Sequence, residues 1–167
     1  MSGIDDLLAG NQRFAATFSG GNLPISPGKG TVVVTCVDAR VDPAQIFDVD
    51  LGDIFVLRSV GGRVTPDIQA QLGMLRALMS SVPGAEPPAV VVMHHTQCGT
   101  AKFADPELKA KAAEMAGVDE AVIDRVVVTD AHDSVATDVA AVCAVVPEGT
   151  VVRGFVYDIA TGVASPV

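Results

Sequence analysis

The chain has 167 residues, of which 49% are hydrophobic and 19% charged, and its formal net charge is −9 at pH 7. This length predicts one domain, residues 1–167, with a buried core, and the composition excludes disordered and collagen-like chains. The acidic balance argues against nucleic-acid or anionic-membrane partners, because like charges repel. No apolar stretch is long enough to span a bilayer, and the acidic N-terminus is unlike a secretory signal, so we expect a cytoplasmic protein.

The first predicted element is an amphipathic helix from Ser2, a candidate N-cap, to about Phe18. Its apolar residues recur near one face: Ile4, Leu7, Leu8, Phe14 and Phe18. Residues 19–30 are rich in glycine, proline and serine, which predicts a loop. We therefore expect residues 1–30 to form an N-terminal helical arm, separated from the rest of the domain by a tether.

Three short runs rich in β-branched residues predict strands at Thr31–Cys36, Ile54–Leu57 and Ala89–Met93. The runs are continuous rather than alternating, which is typical of strands buried on both faces of a parallel sheet. Between the last two, Thr65 can cap a helix whose first position is Pro66. Apolar residues then follow at helical spacing: Ile68, Leu72, Leu75 and Met79. Strand, helix and strand form a βαβ unit, which is nearly always right-handed.

The C-terminal third predicts a helix from about Asp105 to Ala116, a second helix from Asp133, and a last strand over Thr150–Asp158. The segment Arg125–Thr129 fits either a strand or a helix end. The second helix has an apolar stripe that ends before Pro147: Val135, Val139, Val142, Cys143 and Val146. The predicted fold is α/β, with a central, mostly parallel sheet of four to five strands flanked by helices and the N-terminal helical arm.

Reactive or charged side chains follow each of the three buried runs. Cys36, Asp38 and Arg40 follow the first, Arg58 follows the second, and the segment 94–98 (His-His-Thr-Gln-Cys) follows the third. In open α/β sheets, sites form outside the carboxyl ends of the strands, so we expect these side chains to meet at one edge. Packing alone does not explain this concentration of thiols, imidazoles and charges.

Thiolate and imidazole are the ligands that zinc prefers, and His95 and Cys98 have a spacing that lets one turn present both to an ion. Cys36 would approach from the neighbouring strand end. Three protein ligands leave a fourth position for water or for Asp38, which is typical of catalytic rather than structural zinc. Successive strand side chains point to opposite faces, so His94 and His95 are not expected to reach the same ion. The spacing to Cys98 favours His95, and we expect His94 to be a packed or supporting residue.

The remaining candidates have simpler interpretations. Cys143 lies on an apolar helical stripe, which predicts a small buried residue in the core. His132 precedes the last helix and is interpreted as a surface residue of its cap. Three cysteines do not form a disulfide framework. The string at residues 28–31 resembles a phosphate loop, but it precedes a strand where such a loop must follow one, and no dinucleotide fingerprint is present.

Taken together, these motifs resemble the β-class carbonic anhydrases. The family has a C-x-D-x-R strand end, here residues 36–40, and an H-x-x-C-G turn, here residues 95–99. An Arg-Asn-Ala-Gly-like loop corresponds to residues 58–61, and residues 153–162 are similar to the last strand and turn of the short bacterial members. The chain departs from the family pattern at Ser59, Val60 and Gln97, which puts substrate and rate in question rather than metal binding. Its segment between Cys98 and the last helix is also short.

The resemblance implies one Zn²⁺ per chain held by Cys36, His95 and Cys98, with Asp38 and Arg40 as the catalytic pair. It implies reversible hydration of carbon dioxide to bicarbonate by a zinc-bound hydroxide. Asp38 is then also a possible fourth ligand in a closed state of the site. Gly61 and Gly99 are placed at the substrate pocket: both belong to the matching motifs. A homodimer or higher homo-oligomer is implied, with the N-terminal arm packed on the partner subunit.

Three alternatives stay open from the sequence. Hydrolysis of carbonyl sulfide or carbon disulfide would use the same fold and the same hydroxide chemistry. A non-catalytic zinc-binding protein would have Asp38 closing the metal site permanently. A metal-free enzyme would use Cys36 as a redox or acyl-transfer nucleophile.

Overall fold

The structure is a computed structural model that describes residues 3–85 and 88–167. Its helices are α1 (Gly3–Thr17), α2 (Pro43–Ile46), α3 (Pro66–Ser80), α4 (Pro106–Ala116), α5 (Glu120–Asp124) and α6 (Ala131–Cys143). Its strands are β1 (Thr31–Cys36), β2 (Ile54–Ser59), β3 (Ala89–His95), β4 (Val152–Tyr157) and β5 (Ala164–Pro166). Short 3₁₀ turns cover Val60–Gly62 and Gly99–Ala104. Ser2, the predicted cap of the first helix, lies outside the described residues.

The five strands form one sheet in the order β2-β1-β3-β4-β5. The first four strands are parallel, and β5 pairs antiparallel with β4. The predicted α/β class and mostly parallel sheet are therefore confirmed. The continuous valine runs of β1 and β3 suit the centre of this sheet, because helices and loops cover both faces of a parallel sheet.

The main core lies between the sheet and the two helices α3 and α6. Buried valines of β1 and β3 pack against apolar side chains of both helices. Its buried members are Val32, Val34, Val64, Ile68, Leu72, Val90, Val92 and Val142. Gly154 of β4 lets α6 approach the sheet closely, because a Cβ at this position would overlap Val135 and come within 3.1 Å of Val139.

Aspartate side chains cap several helices. Asp105, Asp119 and Asp130 accept hydrogen bonds from backbone N–H groups in the first turns of α4, α5 and α6. Thr65 occupies the N-cap position of α3, as predicted, but its side chain makes no capping hydrogen bond. Pro66 at the first position still suits the helix start, because proline has no N–H to satisfy.

Three predictions need correction. Cys143, expected in the core, is exposed, because the neighbouring Val142 occupies the position that faces the sheet and Cys143 is turned about 100° away from it. Of the two interpretations of Arg125–Thr129, the strand is wrong and the helix end holds only for Arg125, the C-cap of α5, after which turn and irregular backbone follow. The short elements α2 and β5 were not predicted, because three or four residues give too little periodicity to detect.

The N-terminal helix is separate from this core, as its arm-like position predicted. None of the described residues of α1 is buried. Its apolar side chains are largely exposed: Ile4 69%, Leu7 74%, Leu8 60% and Phe14 53%. An amphipathic helix is stable when its apolar stripe is covered, so this stripe lacks its contact surface within the single chain. Among the described residues, no helix is both long enough and apolar enough to cross a membrane.

Candidate metal centre

The carboxyl ends of β1 and β3 bring together three side chains with metal-binding atoms. Cys36 is the last residue of β1, His95 is the last of β3, and Cys98 follows in the next turn. The two sulfur atoms and a ring nitrogen lie within 4.8 Å of one another, and all three residues are buried. β1 and β3 are adjacent and parallel, so strand pairing alone places these two ends side by side.

The His95 imidazole is oriented by a hydrogen bond to the backbone of the next residue, Thr96. Its Nδ1 lies 2.9 Å from the Thr96 carbonyl oxygen, so Nδ1 carries the proton and donates it to that acceptor. In the neutral ring Nε2 then carries a free lone pair, and this atom is buried with no hydrogen-bond partner. A buried acceptor without a partner costs free energy. An ion between Nε2 and the two sulfurs would satisfy it, as a backbone-oriented imidazole does in metal sites.

The pKa values of the two cysteine thiols are shifted in opposite directions. A hydrogen bond from Cys36, together with His95 and Thr100, lowers the pKa of Cys98 to about 3 despite burial. The same hydrogen bond and burial raise the pKa of Cys36. Burial acts to lower the pKa of His95, but the Cys98 thiolate outweighs it and raises that pKa. The two pKa shifts therefore favour the thiolate form at Cys98 and the thiol form at Cys36, and a bound cation would favour the thiolate form of both.

Asp38 and Arg40 form a bidentate ion pair beside this cluster. Arg40 donates from its backbone N–H and from Nε to Asp38 Oδ1, both at 2.9 Å, and from Nη2 to Oδ2 at 2.6 Å. These bonds, chiefly the side-chain ones, hold the pKa of Asp38 well below its usual range. Asp38 Oδ2 also lies 3.9 Å from His95 Nε2. The carboxylate is therefore charged and directed at the cluster.

Arg40 also connects the two strand ends. Its Nη2 donates to the Gln97 carbonyl oxygen at 3.2 Å. Gln97 has a left-handed backbone conformation, φ = 56°, which is uncommon for a residue with a side chain and occurs often at functional turns. The turn after β3 is thereby fixed relative to the end of β1, so Cys98 and Asp38 keep their relative positions.

The two predicted pocket glycines have different surroundings. Gly61 is buried with φ = 74°, and a Cβ there would overlap the carbonyl oxygen of Val126. Only glycine fits this backbone. Gly99 is exposed at the start of the 3₁₀ turn after Cys98. Both therefore lie next to elements that hold the cysteines, and their contact with substrate stays a prediction.

His94 and His132 lie apart from the cluster, as predicted. His94 is buried on the other side of β3, and its Nε2 is 2.8 Å from Asp138 Oδ2. His132 is exposed in the first turn of α6. Arg63 also binds Asp138, with Nε donating to Oδ2 at 2.8 Å and Nη2 to Oδ1 at 3.3 Å. This buried triad joins α6, β3 and the segment after Gly62.

Sequence reasoning missed the Asp138 triad and Thr100. A detectable signal existed for Asp138, since it lies three residues after Val135 and four before Val142, on the buried stripe of α6. An acid at that spacing indicates a buried partner. Thr100, whose hydroxyl is 3.2 Å from Cys98 Sγ, had no comparable signal.

Comparison with known proteins agrees with this geometry. The family model described as carbonic anhydrase matches residues 31–136. The chain is 32% identical to beta-carbonic anhydrase 1 of Mycobacterium tuberculosis, over 97% of this chain and 96% of that protein. The crystal structure of carbonic anhydrase from Streptococcus mutans superposes with a TM-score of 0.80 at 32% identity, covering 100% of this chain and 98% of that one.

A carbon disulfide hydrolase shares the fold. Its TM-score is 0.60 at 21% identity, over 97% of this chain and 88% of that one. At this identity the likeness concerns the fold alone. The family model and the relatives at 32% identity cover the strand ends that hold Cys36, His95 and Cys98. The chain therefore belongs to the carbonic anhydrase family, in its β class.

Proposed function

We propose that this chain catalyses the reversible hydration of carbon dioxide to bicarbonate and a proton, with zinc as its cofactor. Its family consists of lyases that are metalloenzymes acting on a small molecule. The observation that supports zinc most directly is the buried, unpartnered Nε2 of His95 facing two cysteine sulfurs. A free imidazole nitrogen and two thiols are a set that favours zinc over magnesium or calcium, which prefer oxygen.

The proposed ligands are Cys36, His95 and Cys98, for one ion per chain. Three protein ligands leave a fourth position open, as catalytic zinc requires. When bound, zinc supplies a water whose pKa is lowered, to about 7 in the carbonic anhydrase that uses three histidines. Cysteine thiolates donate more charge than imidazoles do, so we expect a smaller lowering here.

Asp38 is placed to orient the reacting water. A carboxylate oxygen can accept two hydrogen bonds. Among the described residues, Oδ1 receives two from Arg40 and Oδ2 receives one, so one acceptor position on Oδ2 is left for water. Arg40 keeps Asp38 ionised and holds it away from the fourth ligand position. This pairing supports an open site over one that Asp38 closes.

The chain offers its own control for the metal ligands. We expect about one zinc per purified chain and fast carbon dioxide hydration in a stopped-flow indicator assay. Cys98→Ser should lose both, because it removes a ligand. Cys143→Ser should keep both, since this cysteine is exposed and far along the chain. A parent protein without bound metal and without hydration would refute the proposal.

A second variant separates catalytic zinc from structural zinc. Asp38→Ala should retain the fold and the metal but lose roughly 10²- to 10⁴-fold of the hydration rate, the range for a lost proton-handling group. If this variant instead loses both its fold, measured by circular dichroism, and its bound metal, the result would favour a structural site that Asp38 closes. Full hydration in this variant would remove Asp38 from the mechanism.

Carbon dioxide is preferred to carbonyl sulfide or carbon disulfide as the substrate. The relatives that share about a third of their residues with this chain are carbonic anhydrases, whereas the carbon disulfide hydrolase shares 21%. Parallel assays of carbon dioxide hydration and of sulfide release test the choice. Sulfide release without hydration would overturn it.

We also propose that α1 packs on a second copy of the chain in a homodimer or larger homo-oligomer. The exposed apolar stripe of α1 supports this, because a helix with an uncovered apolar face needs a partner surface. Light scattering after gel filtration should give at least twice the chain mass, and Leu7→Glu should lower it. Lys29→Glu, in the tether, is the control. A monomeric parent would refute the assembly.

A single domain over residues 1–167 and a cytoplasmic location complete the proposal. The three cysteines are free thiols, which suits a reducing compartment. Fractionation of cells that express the tagged chain tests the location. One cooperative unfolding transition, at the same midpoint by different probes, tests the single domain.

A further inference from the structure

Thr100 contacts the Cys98 sulfur through its side chain. It lies in the 3₁₀ turn that follows Cys98 and is 7% exposed. Its Oγ1 is 3.2 Å from Cys98 Sγ. The hydroxyl and the sulfur are therefore in hydrogen-bond contact, and both residues are buried.

The surroundings fix the position of this hydroxyl. A Cβ added at Gly61 would lie 3.3 Å from Thr100 Oγ1, so the glycine turn passes close to the hydroxyl. Cys36, Cys98 and Val128 form a small buried cluster on the same side. Because these neighbours leave little room, the Thr100 hydroxyl stays next to the sulfur rather than turning to solvent.

The protonation state of Cys98 determines which atom donates the hydrogen bond between Thr100 and Cys98. A cysteine that binds a metal ion is a thiolate, which has no proton and can only accept a hydrogen bond. The Thr100 hydroxyl must then donate to Cys98. A hydrogen bond draws electron density from the sulfur, and it also restricts the side-chain rotation that would move the sulfur away from Cys36 and His95.

We infer that Thr100 is a positioning residue for the metal centre, and that its hydroxyl moderates the charge that Cys98 donates to the ion. This inference rests on the proposed function, because it requires Cys98 to be a metal ligand. It also addresses a property of that site: two thiolate ligands would weaken the ion as an electron-pair acceptor, and a hydrogen bond to one of them offsets part of that effect.

Cobalt(II) in place of zinc gives a readout other than activity, since thiolate-to-cobalt charge transfer absorbs in the near ultraviolet. Thr100→Val keeps the shape and removes the hydroxyl, so the band should move to longer wavelength because the sulfur electrons are held less tightly. The apparent metal affinity, from competition with a chelator, should fall roughly tenfold. Thr100→Ser restores the hydroxyl and should restore both values.

A matched control is Thr137→Val. This hydroxyl donates to the Asp133 carbonyl oxygen at an exposed position of α6, so its loss should leave the band and the affinity unchanged. If Thr100→Val does not fold, Thr100→Ala provides the same loss of hydroxyl with less crowding. An unchanged band and affinity in the hydroxyl-free variants would overturn the inference. A parent protein with no charge-transfer band would refute the metal site itself.

Discussion

Replacing Asp138 by asparagine tests whether the buried triad behind the metal centre stabilises the fold. The Asp138 side chain is 4% exposed and is bonded to Arg63 and His94. Asparagine has the same shape but no charge, and only one of its two terminal atoms accepts hydrogen bonds. Its oxygen can keep the two bonds of Oδ2, and its amide then faces the Nη2 donor of Arg63.

The expected loss of stability depends on which hydrogen bonds the asparagine can still make. The variant loses one charge-assisted hydrogen bond, of Arg63 Nη2 to Oδ1, and leaves the guanidinium partly buried without its counter-charge. Removing one partner of a buried ion pair costs about 3–5 kcal/mol. Arg63 is 19% exposed, so water solvates part of its charge. We therefore expect a loss at the low end, about 3 kcal/mol.

Urea unfolding at fixed protein concentration measures this loss. With a slope of about 2 kcal/mol/M, the midpoint of Asp138→Asn should fall by about 1.5 M with the slope unchanged. Asp133→Asn, exposed on the same helix, should change the free energy of unfolding by about 0.5 kcal/mol or less. A loss for Asp138→Asn no larger than that of the control would refute this reasoning.

Three further predictions use other contacts. Burial acts to raise the pKa of Asp138, but hydrogen bonds from His94 and Arg63 outweigh it and lower that pKa. The ionised carboxylate therefore stabilises the folded state above about pH 3.9, and this stabilisation is lost as the pH falls below that value. Urea midpoints of the parent and of Asp138→Asn should converge only in that acid range. Gly154→Ala should cost about 1–3 kcal/mol by crowding α6, and an unchanged melting temperature would contradict this. Arg40→Lys should keep the zinc but hydrate carbon dioxide about 10²-fold more slowly, because a single ammonium group cannot hold both Asp38 oxygens. Rates equal to those of the parent would show that the bidentate pair is unnecessary.

The sequence was sufficient for those parts of the fold that depend on neighbours along the chain. The continuous valine runs predicted β1 and β3, and Thr65 followed by Pro66 predicted where α3 begins. The order of these elements then places Cys36 and His95 at adjacent strand ends, because parallel strands present their carboxyl ends at the same edge. The clustering of Cys36, His95 and Cys98 was therefore predictable from two short motifs.

Contacts between distant segments were decided by the tertiary structure. Cys143 and Val142 both belong to the apolar stripe of α6, and only the packing direction of the helix determines that Val142 is buried and Cys143 exposed. The same packing turns Asp138 inward to Arg63, 75 residues away in the chain. Local periodicity describes a helix face to within about one residue, which is too coarse for such a choice.

The chain by itself thus determined which elements form and which reactive side chains follow them. The tertiary structure decided which hydrogen bonds those side chains make: the partnerless nitrogen of His95, the two-point pairing of Asp38 with Arg40, and the hydroxyl of Thr100 beside Cys98. The physical reason is that the two kinds of interaction act over different distances along the chain. Backbone conformation responds to residues a few positions apart, whereas a hydrogen bond between side chains depends on distances of a few tenths of an ångström that the whole packed domain fixes.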